Sequence, residues 1–412
     1  MQSGSNRQTV AVLFGGRSVE HEISIITALQ LIEAIDTVKY NPIPVYIATS
    51  GKWYSGPALL KREFYKGMPG TLADVQEVVL MPVPGTGGLT VIQTKAAKSG
   101  FGLFGKPQQG PDVIPVDVYF PAFHGSYGEN GCIQGLLELA DVVYTGSDVV
   151  SSAVSMSKYH SKKFLESHDV PCLPSVLLAR EGLDQDPGGK LESWRKAVLG
   201  TKGFEKFPLF VKPANLGSSI GVARVTDENA LDAALLQAFK YDHQVLVEPC
   251  VEEKLEINVA VIDDVQVRAS VVEIPVSSSG NELSYEDKYM RGGGKKGGSH
   301  SLGMAGLTRV IDPTDLDPVI KSQAQEFAVR AFTALGCAGV ARIDFMMDLA
   351  AKKLYFNEIN PLPGSLANYL WVKSAPPLLF TDLLSLCIER AIKRDKTKRA
   401  LSHDVGFKAL FK

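Results

Sequence analysis

The sequence predicts an α/β protein, and three observations carry that reading. The apolar run 10–14 breaks at Gly15-Gly16 and gives way to a helical spacing of Ile25, Leu29 and Ile32. The run 116–123 ends at His124-Gly125 and is followed by a helical stretch over 131–139. Later in the chain, strand signals cluster and return in pairs around polar turns such as Asp263-Asp264. Strand, loop and helix in that order imply a parallel sheet with sites at strand ends; clustered strands imply an α+β continuation.

The elements follow in order. Residues 42–48 form a second strand, and 50–112, rich in Gly, Pro and Lys, hold hairpins and loops. The first domain closes near residue 150. Residues 158–167 read as a helix; 209–212 and 220–225 read as strands joined by a glycine-containing turn. Residues 245–248, 255–262 and 265–276 are further strands. The stretch 291–303 is a Gly- and Lys-rich loop that cannot bury apolar surface. An amphipathic helix spans 315–335, with Phe327, Ala331 and Leu335 on one face and Gly336 as its cap. Residues 340–347 and 354–359 form a hairpin, and 377–394 form a closing helix. This order divides the chain into 1–150, 151–247 and 248–412.

Composition excludes several classes. At 412 residues the chain is long enough for two or three domains at roughly 150 residues each. A hydrophobic fraction of 45% supports real cores, which excludes wholesale disorder. The net charge of −2, with no basic surplus, argues against nucleic acid as a partner. No apolar run approaches the roughly 18 residues of a membrane span, and the polar start is unlike a signal peptide, so no membrane partner is expected. Cys132, Cys172, Cys250, Cys337 and Cys387 are scattered and odd in number, as reduced thiols of a cytoplasmic protein would be.

Several motifs fail on inspection. There is no Walker sequence, and His21-Glu22 lacks the second histidine of a zinc site. Gly217-Ser218-Ser219-Ile220-Gly221 fits a nucleophile elbow only in letters, because a strand rather than a helix follows it. Stronger signals lie near the C-terminus. Arg342 and Asp344 are two apart on a strand and share a face, as do Glu358 and Asn360. If these strands pair, three oxygen ligands and a guanidinium face one space, which suits Mg²⁺; a solvated sheet face with one ion pair is the alternative. Lys212 ends an apolar strand beside a turn rich in N–H and hydroxyl donors and can clamp phosphate. Lys158 alone reads as a surface lysine. Glu248 ends a strand whose exposed backbone could take an adenine edge, or is a plain loop carboxylate.

In order, these segments resemble the D-alanine–D-alanine ligase family of ATP-grasp enzymes. The resemblance rests on Phe14-Gly-Gly-Arg-Ser18-Val-Glu20-His21-Glu22-Ile-Ser24, His124-Gly-Ser-Tyr-Gly-Glu129-Asn-Gly and Ser155-Met-Ser-Lys158. It continues through Val211-Lys212-Pro-Ala-Asn-Leu-Gly-Ser218-Ser219, Tyr285-Glu-Asp-Lys288-Tyr289, Arg342-Ile-Asp344 and Asn357-Glu358-Ile-Asn360-Pro-Leu-Pro-Gly364. The match covers about residues 10 to 394.

The resemblance implies an ATP-grasp fold: a parallel N-terminal α/β domain, then central and C-terminal α+β domains that sandwich ATP. It implies that Lys158 and Lys212 hold phosphates, that Lys288 also binds the nucleotide, that Glu248, Val251 and Glu256 take adenine and ribose, and that Ser218 and Ser219 belong to a loop over the phosphates. Asp344, Glu358 and Asn360 would bind Mg²⁺, with Mn²⁺ as a substitute. Arg342 and the Gly364 N–H would stabilise an oxyanion. Glu20 would grip the first amino acid's ammonium, with His124 near the same substrate, and Tyr289 would link to Glu20 through Ser218. The family often has serines after the Pro-Gly, where the second amino acid is gripped. Here Ser365-Leu-Ala-Asn368-Tyr369 stands instead, so Asn368 and Tyr369 are the candidate acceptor contacts. The implied activity is ATP-dependent joining of two D-alanines for peptidoglycan, by a soluble cytoplasmic enzyme, as a homodimer or monomer. A ligase making another dipeptide or a depsipeptide, and a nucleotide-binding protein that has lost catalysis, are the alternatives.

Overall fold

The computed structural model describes residues 7–92, 112–217, 219–276 and 309–402. Ser218, Lys288, Tyr289 and the expected loop 291–303 lie outside the described residues.

The first sheet contains β1 (Gln8–Gly15), β2 (Tyr40–Ile47), β3 (Trp53–Ser55), β4 (Gln76–Val79), β5 (Gly88–Val91), β6 (Val113–Pro115) and β7 (Val118–Pro121), in the order β6-β5-β4-β3-β2-β1-β7. Strands β7, β1 and β2 run parallel, and the hairpins of 50–112 extend the sheet antiparallel. Strand β1 is apolar at successive positions because both its faces are covered. Val10, Val12 and Phe14 enter one core with Ile25, Ala28 and Leu31 of α1 (His21–Ala34). Ala11 and Leu13 enter the opposite core with Ile133 and Leu137 of α2 (Cys132–Leu139). The period of two in the strand thus meets the period of three to four in each helix. Gly15 is obligatory between β1 and α1: its φ is +90°, and a Cβ there would lie 2.3 Å from the Ile47 carbonyl oxygen. Short helical turns at Pro57–Leu60, Arg62–Lys66 and Gly70–Asp74 occupy part of the stretch expected to hold only hairpins and loops.

Helix α3 (Val149–Met156) leads into α4 (Lys158–Glu166). The second sheet is antiparallel: β8 (Val176–Ala179), β9 (Leu209–Pro213), β10 (Ala223–Val225) and β11 (Gln244–Pro249), in the order β10-β9-β11-β8. Helices α5 (Pro187–Leu199) and α6 (Glu228–Ala238), which the sequence reading missed along with α3, cover it. Val198, Leu231 and Leu235 pack there on Leu209, Val211, Val245 and Val247.

The third sheet contains β12 (Lys254–Ile262), β13 (Arg268–Pro275), β14 (Arg309–Ile311), β15 (Val340–Asp348) and β16 (Lys353–Asn360), ordered β14-β13-β12-β15-β16. Helix α7 (Pro318–Ala334) lays Ala324, Ala328, Ala331 and Phe332 on it and ends at Gly336, whose φ of +67° suits only glycine without strain. Leu165 of α4 enters this same core. The last helix, α8 (Phe380–Arg399), returns to the first sheet's core through Leu384 and Ile388. Its Arg390 pairs with Asp263 at 2.6 Å, and Arg394 donates to the carbonyls of Tyr144 and Gly146 at 2.8 and 2.7 Å. Among the described residues no helix is long and apolar enough to cross a membrane.

Candidate active site

The hairpin of β15 and β16 sets one wall. Its register places Arg342 opposite Asn360 and Asp344 opposite Glu358, so the face expected from the sequence exists. Arg342 donates from Nε and Nη2 to the two Asp344 carboxylate oxygens at 2.7 Å each, and Asn360 Nδ2 donates to Asp344 Oδ2 at 3.2 Å. Burial raises the Asp344 pKa; Arg342 pulls against that, while Glu358 and Glu273 add to it. Two carboxylates directly across a strand pair repel one another, a cost that a divalent cation between them relieves. Among the described residues no cluster of three His, Cys, Asp or Glu side chains capable of holding a metal occurs. The candidate donors are two carboxylates and one amide oxygen. All three are hard oxygens, the set that fits Mg²⁺ or Mn²⁺ shared with other ligands.

Lysines face this wall. Lys158, in the first turn of α4, donates to the Leu216 carbonyl at 2.6 Å and pairs with Glu358 at 2.9 Å. Lys212, on β9, pairs with Glu248 at 2.7 Å and donates to Asn357 Oδ1 at 3.2 Å. Glu248 is a strand-end carboxylate, as expected, and not a loop one: it directly precedes Pro249, the last residue of β11. It lies within β11, fully buried, and its other oxygen accepts from Lys162. Burial alone would raise its pKa, but the two lysines outweigh burial and hold it down at about 2. Val251 is half-buried in the loop that follows β11. Glu256, 3.3 Å from Lys254, lines the cleft, as does Ser219, whose φ is +57°. The cleft holds about 940 Å³, and Val222, Pro275, Phe345 and Met346 give it an apolar lining. Basic groups beside an apolar slot suit a phosphate ester carrying a planar base.

At the cleft's other end stands Glu20, 6% exposed, in the N-cap position of α1. Gly125 has φ +77°, and a Cβ on it would lie 2.5 Å from Glu20 Oε2 and 2.4 Å from Ser18 Oγ. A Cβ on Gly217 would lie 3.4 Å from the same Glu20 oxygen. The carboxylate therefore sits between two glycine backbones, from α2's approach loop and from the turn after β9. His124 is bonded to Thr27 Oγ1 at 2.8 Å. Burial, reinforced by Arg342, lowers its pKa to about 4 against the Leu362 backbone, so the imidazole is neutral near pH 7. Glu129 accepts from the Gly125 N–H at 2.5 Å. Burial first, then Glu20, raises it to about 8 despite the Gly125 and Leu362 N–H groups.

Beyond β16, Gly364 opens a turn in which Ser365, Leu366 and Ala367 have φ of 47°, 52° and 49°. Asn368 and Tyr369 follow on a short helix and line a hollow of about 710 Å³ with Gln30 and Glu33. Asn368 Nδ2 donates to the Ser365 carbonyl at 3.2 Å. Tyr369 donates to Glu273 Oε1 at 2.9 Å, and its ring lies 3.9 Å beneath the Arg309 guanidinium. Glu273 also accepts from Asn258 and Arg309, each at 3.1 Å.

The fold thus brings Lys158, Lys212, Ser219, Glu256, Arg342, Asp344 and Glu358 to one cleft, with Asn360 bonded to Asp344. Sequence reasoning missed Lys162, Glu129 and the group of Asn258, Glu273 and Arg309. Lys162 carried a signal, four residues after Lys158 on one helix face. Glu129 lay inside a motif already singled out. Asn258, Glu273 and Arg309 had none, since only sheet pairing gathers them.

Two β-rich units that close on a basic cleft, beside an α/β unit that carries a buried acid, define an ATP-grasp ligase fold. Residues 9–147 match the sequence model of the D-ala D-ala ligase N-terminus and residues 164–389 that of the D-ala D-ala ligase C-terminus. The chain is 36% identical to D-alanine–D-alanine ligase A of Bradyrhizobium diazoefficiens, covering 95% of this chain and 97% of that one. It is 33% identical to the D-alanine–D-alanine ligase of Thermosipho africanus, over 96% of each. The D-alanine–D-alanine ligase structure from Coxiella burnetii superposes with a TM-score of 0.70 at 27% identity, covering 96% of this chain and 97% of that one. The VanG D-Ala:D-Ser ligase from Enterococcus faecalis superposes at 0.72 with 26% identity, covering 94% and 100%. The chain belongs to the D-alanine–D-alanine ligase family, whose members are ATP-dependent ligases acting on small molecules.

Proposed function

We propose that this enzyme joins two D-alanines at the expense of ATP, as a step in supplying peptidoglycan precursors. One observation carries the reading: Arg342, Asp344 and Glu358 face Lys158 and Lys212 across a single cleft, with Glu20 and Glu129 at the end where an ammonium is to be held.

The donor carboxylate takes the γ-phosphoryl group of ATP, giving an acyl phosphate and ADP. The acceptor's free amine then attacks the acyl carbon, loses a proton, and phosphate departs with its P–O bond intact. Lys158 and Lys212 offset phosphate charge. The apolar strip of Val222, Pro275 and Met346 takes the base, and Glu256 the ribose. Glu20 and Glu129 hold the donor ammonium, and its arrival favours ionised Glu129. Neutral His124 orients the donor by hydrogen bonding rather than by charge. Arg342, fixed by Asp344, and the Gly364 N–H stand where negative charge develops on the carbonyl oxygen. Asp344, Glu358 and Asn360 would hold Mg²⁺, which supplies charge neutralisation to the phosphates when bound. Ser218, Lys288 and Tyr289 complete this set by resemblance.

The division 1–150, 151–247 and 248–412 is kept as a proposal: each stretch carries most of one sheet, although β11 of the second sheet runs across the 247/248 boundary and α4 of the second stretch packs on the third sheet. Dependence on ATP and amino acids fits a cytoplasmic enzyme, and a homodimer is the assembly to test by sedimentation. The deciding assay is ADP release with single and paired D- and L-amino acids. Release that requires D-alanine, with the dipeptide identified by mass, supports the reading; release that no amino acid stimulates overturns it.

A further inference from the structure

We propose that Glu273 is a positioning residue for the acceptor amino acid: it takes the Tyr369 hydroxyl and so fixes the turn from Gly364 to Tyr369 as one wall of the acceptor's place. The inference rests on the proposed ligase reading, in which the acceptor arrives beside Gly364.

Glu273 stands on β13 and is buried, with 3% of its side chain exposed. Strand pairing puts Asn258 of β12 opposite it, and β14 lies on its other side. Its Oε1 accepts from Asn258 and from the Tyr369 hydroxyl at 3.1 and 2.9 Å, and its Oε2 accepts from Arg309 at 3.1 Å. Asn258, Glu273 and Arg309 line the cleft beside Arg342 and Asp344, whereas Tyr369 lines the hollow with Gly364 and Asn368. The bond between Tyr369 and Glu273 therefore joins the walls of the two cavities. A phenol has one hydrogen to donate, and Glu273 takes it. Burial first, then Glu273, raises the Tyr369 pKa, so the hydroxyl keeps that hydrogen. Tyr369 is thus committed to the wall, with the Arg309 guanidinium 3.9 Å over its ring, and serves the acceptor as a fixed surface rather than as a donor.

The turn needs such a tie. Ser365, Leu366 and Ala367 all have left-handed φ, which is unfavourable for residues with a Cβ and persists where the surroundings over-determine it. Ser365 Oγ donates to Gln30 Oε1, Asn368 Nδ2 donates to the Ser365 carbonyl, and Tyr369 donates to Glu273. The last of these bonds ties the turn to the sheet that carries Arg342. It bears on the spacing between Arg342 and Gly364, the two groups proposed to meet the carbonyl oxygen.

The competing account is a fastening that serves stability alone. The two accounts differ in the fate of the acyl phosphate. If the acceptor is badly held, water attacks the acyl carbon in its place. The donor's carboxylate is then regenerated, phosphate leaves, and ADP is released with no dipeptide made. A less stable fold lowers the amount of active enzyme and leaves each turnover coupled.

The test follows ADP and dipeptide from D-alanine in wild type, Y369F, E273Q and Y369F/E273Q, with the donor, acceptor and ATP KM values fitted separately. Y369F is the decisive arm, because it deletes the hydroxyl and leaves the Glu273 charge near Arg342 in place. Positioning predicts that Y369F and E273Q each raise the acceptor KM about tenfold or more, as loss of a hydrogen bond to a charged group does. The ratio of ADP to dipeptide should rise above that of wild type and fall back as D-alanine is increased. Donor and ATP KM should stay within about threefold. In acceptor KM the double variant should be no worse than the worse single one, since both changes break the same bond. Unchanged acceptor KM and coupling in folded Y369F, equal rises in all three KM values, or fully additive losses in the double variant would each overturn the proposal. If E273Q does not fold, Y369F decides by the same readouts. A wild type with no D-alanine-dependent ADP release refutes the proposed function and this inference together; a coupled wild type with an equally coupled Y369F refutes this inference alone.

Discussion

Replacing Glu129 by glutamine should make the substrate-free protein more stable at neutral pH and a poorer enzyme. The buried carboxyl, beside Glu20, has its pKa raised from 4.5 to about 8. A folded-state pKa above the unfolded value means that the fold favours the protonated form. Folding is then penalised as pH rises above 4.5, and the penalty levels off above about 8. Each unit of pH in that window is worth about 1.4 kcal/mol, and the group is fully buried, so solvent screening removes little of it. Between pH 5 and pH 7 the penalty grows by roughly 2–3 kcal/mol. Glutamine is nearly isosteric and can still accept from the Gly125 N–H, but it does not ionise. Urea unfolding of wild type and Glu129→Gln at pH 5, 6, 7 and 8, without ligands, reads the difference directly. The stability gap should widen in favour of the variant as pH rises. Parallel pH profiles would refute the account of Glu129 as a carboxyl held neutral by burial and by Glu20. Because the donor ammonium is what favours ionised Glu129, the same variant should show a raised donor KM.

Glu358→Gln should retain the far-UV spectrum and lose on the order of a hundredfold or more of Mg²⁺-dependent turnover, because it removes one of two carboxylates from the candidate site; near-normal turnover at ordinary Mg²⁺ contradicts the assignment. Gly125→Ala places a methyl against Ser18 and Glu20 in a left-handed backbone, and should raise the donor KM at least about tenfold while costing only about 1–2 kcal/mol of stability; an unchanged KM would show that Glu20 does not hold the donor. Glu248 has a folded pKa held down at about 2 against 4.5, so its contribution, on the order of 3 kcal/mol, is present above pH 4.5 and lost as pH falls toward 2. Acid unfolding of Glu248→Gln should lack that part of the slope, and identical acid profiles would contradict the pairing. Amine attack needs the free base, so D-alanine should outcompete D-lactate as acceptor, most clearly above pH 7; mass analysis of products from equal mixtures decides this, and a dominant ester at pH 7 is the contrary result. D-Serine and glycine belong in the same mixtures.

The hairpin of β15 and β16 was the most legible part of the chain. The two-residue spacings of Arg342 and Asp344, and of Glu358 and Asn360, are strand geometry written directly in sequence, and the register brings them together. The helix over residues 318–334 was equally legible because its alanines and phenylalanine recur at helical spacing. Helices α5 and α6 were missed: α5 opens on Pro187-Gly188-Gly189, a local signature of a loop, whereas the apolar run of α6 was open to view and was overlooked. Glu248 was placed at its strand end, but its partners were not legible. A carboxylate followed by proline has the local signature of a strand end, and nothing local reveals two lysines arriving from β9 and from α4. The contacts of Glu273 with Asn258, Arg309 and Tyr369 span 15, 36 and 96 residues and depend on how strands and a short helix come together, which no local pattern shows.

Among the described residues the second sheet's apolar core draws on one stretch of chain, from Val176 to Val247. By contrast the first and third sheets share one core, in which Val12 and Phe14 are joined by Ala260, Val340, Trp371 and Leu384. They are also riveted along α8 by Arg390 and Arg394. Among the described residues, the contacts that cross from the second sheet to the rest include the polar ones of Lys158 with Leu216, Lys162 with Glu248 and Lys212 with Asn357. The buried Glu248 pairs resist separation, and a shared apolar core resists it over a wider area. The first and third sheets are therefore the most firmly joined pair of the three, and the proposed amino-acid contacts, Glu20, His124 and Arg342, all lie on that joined pair.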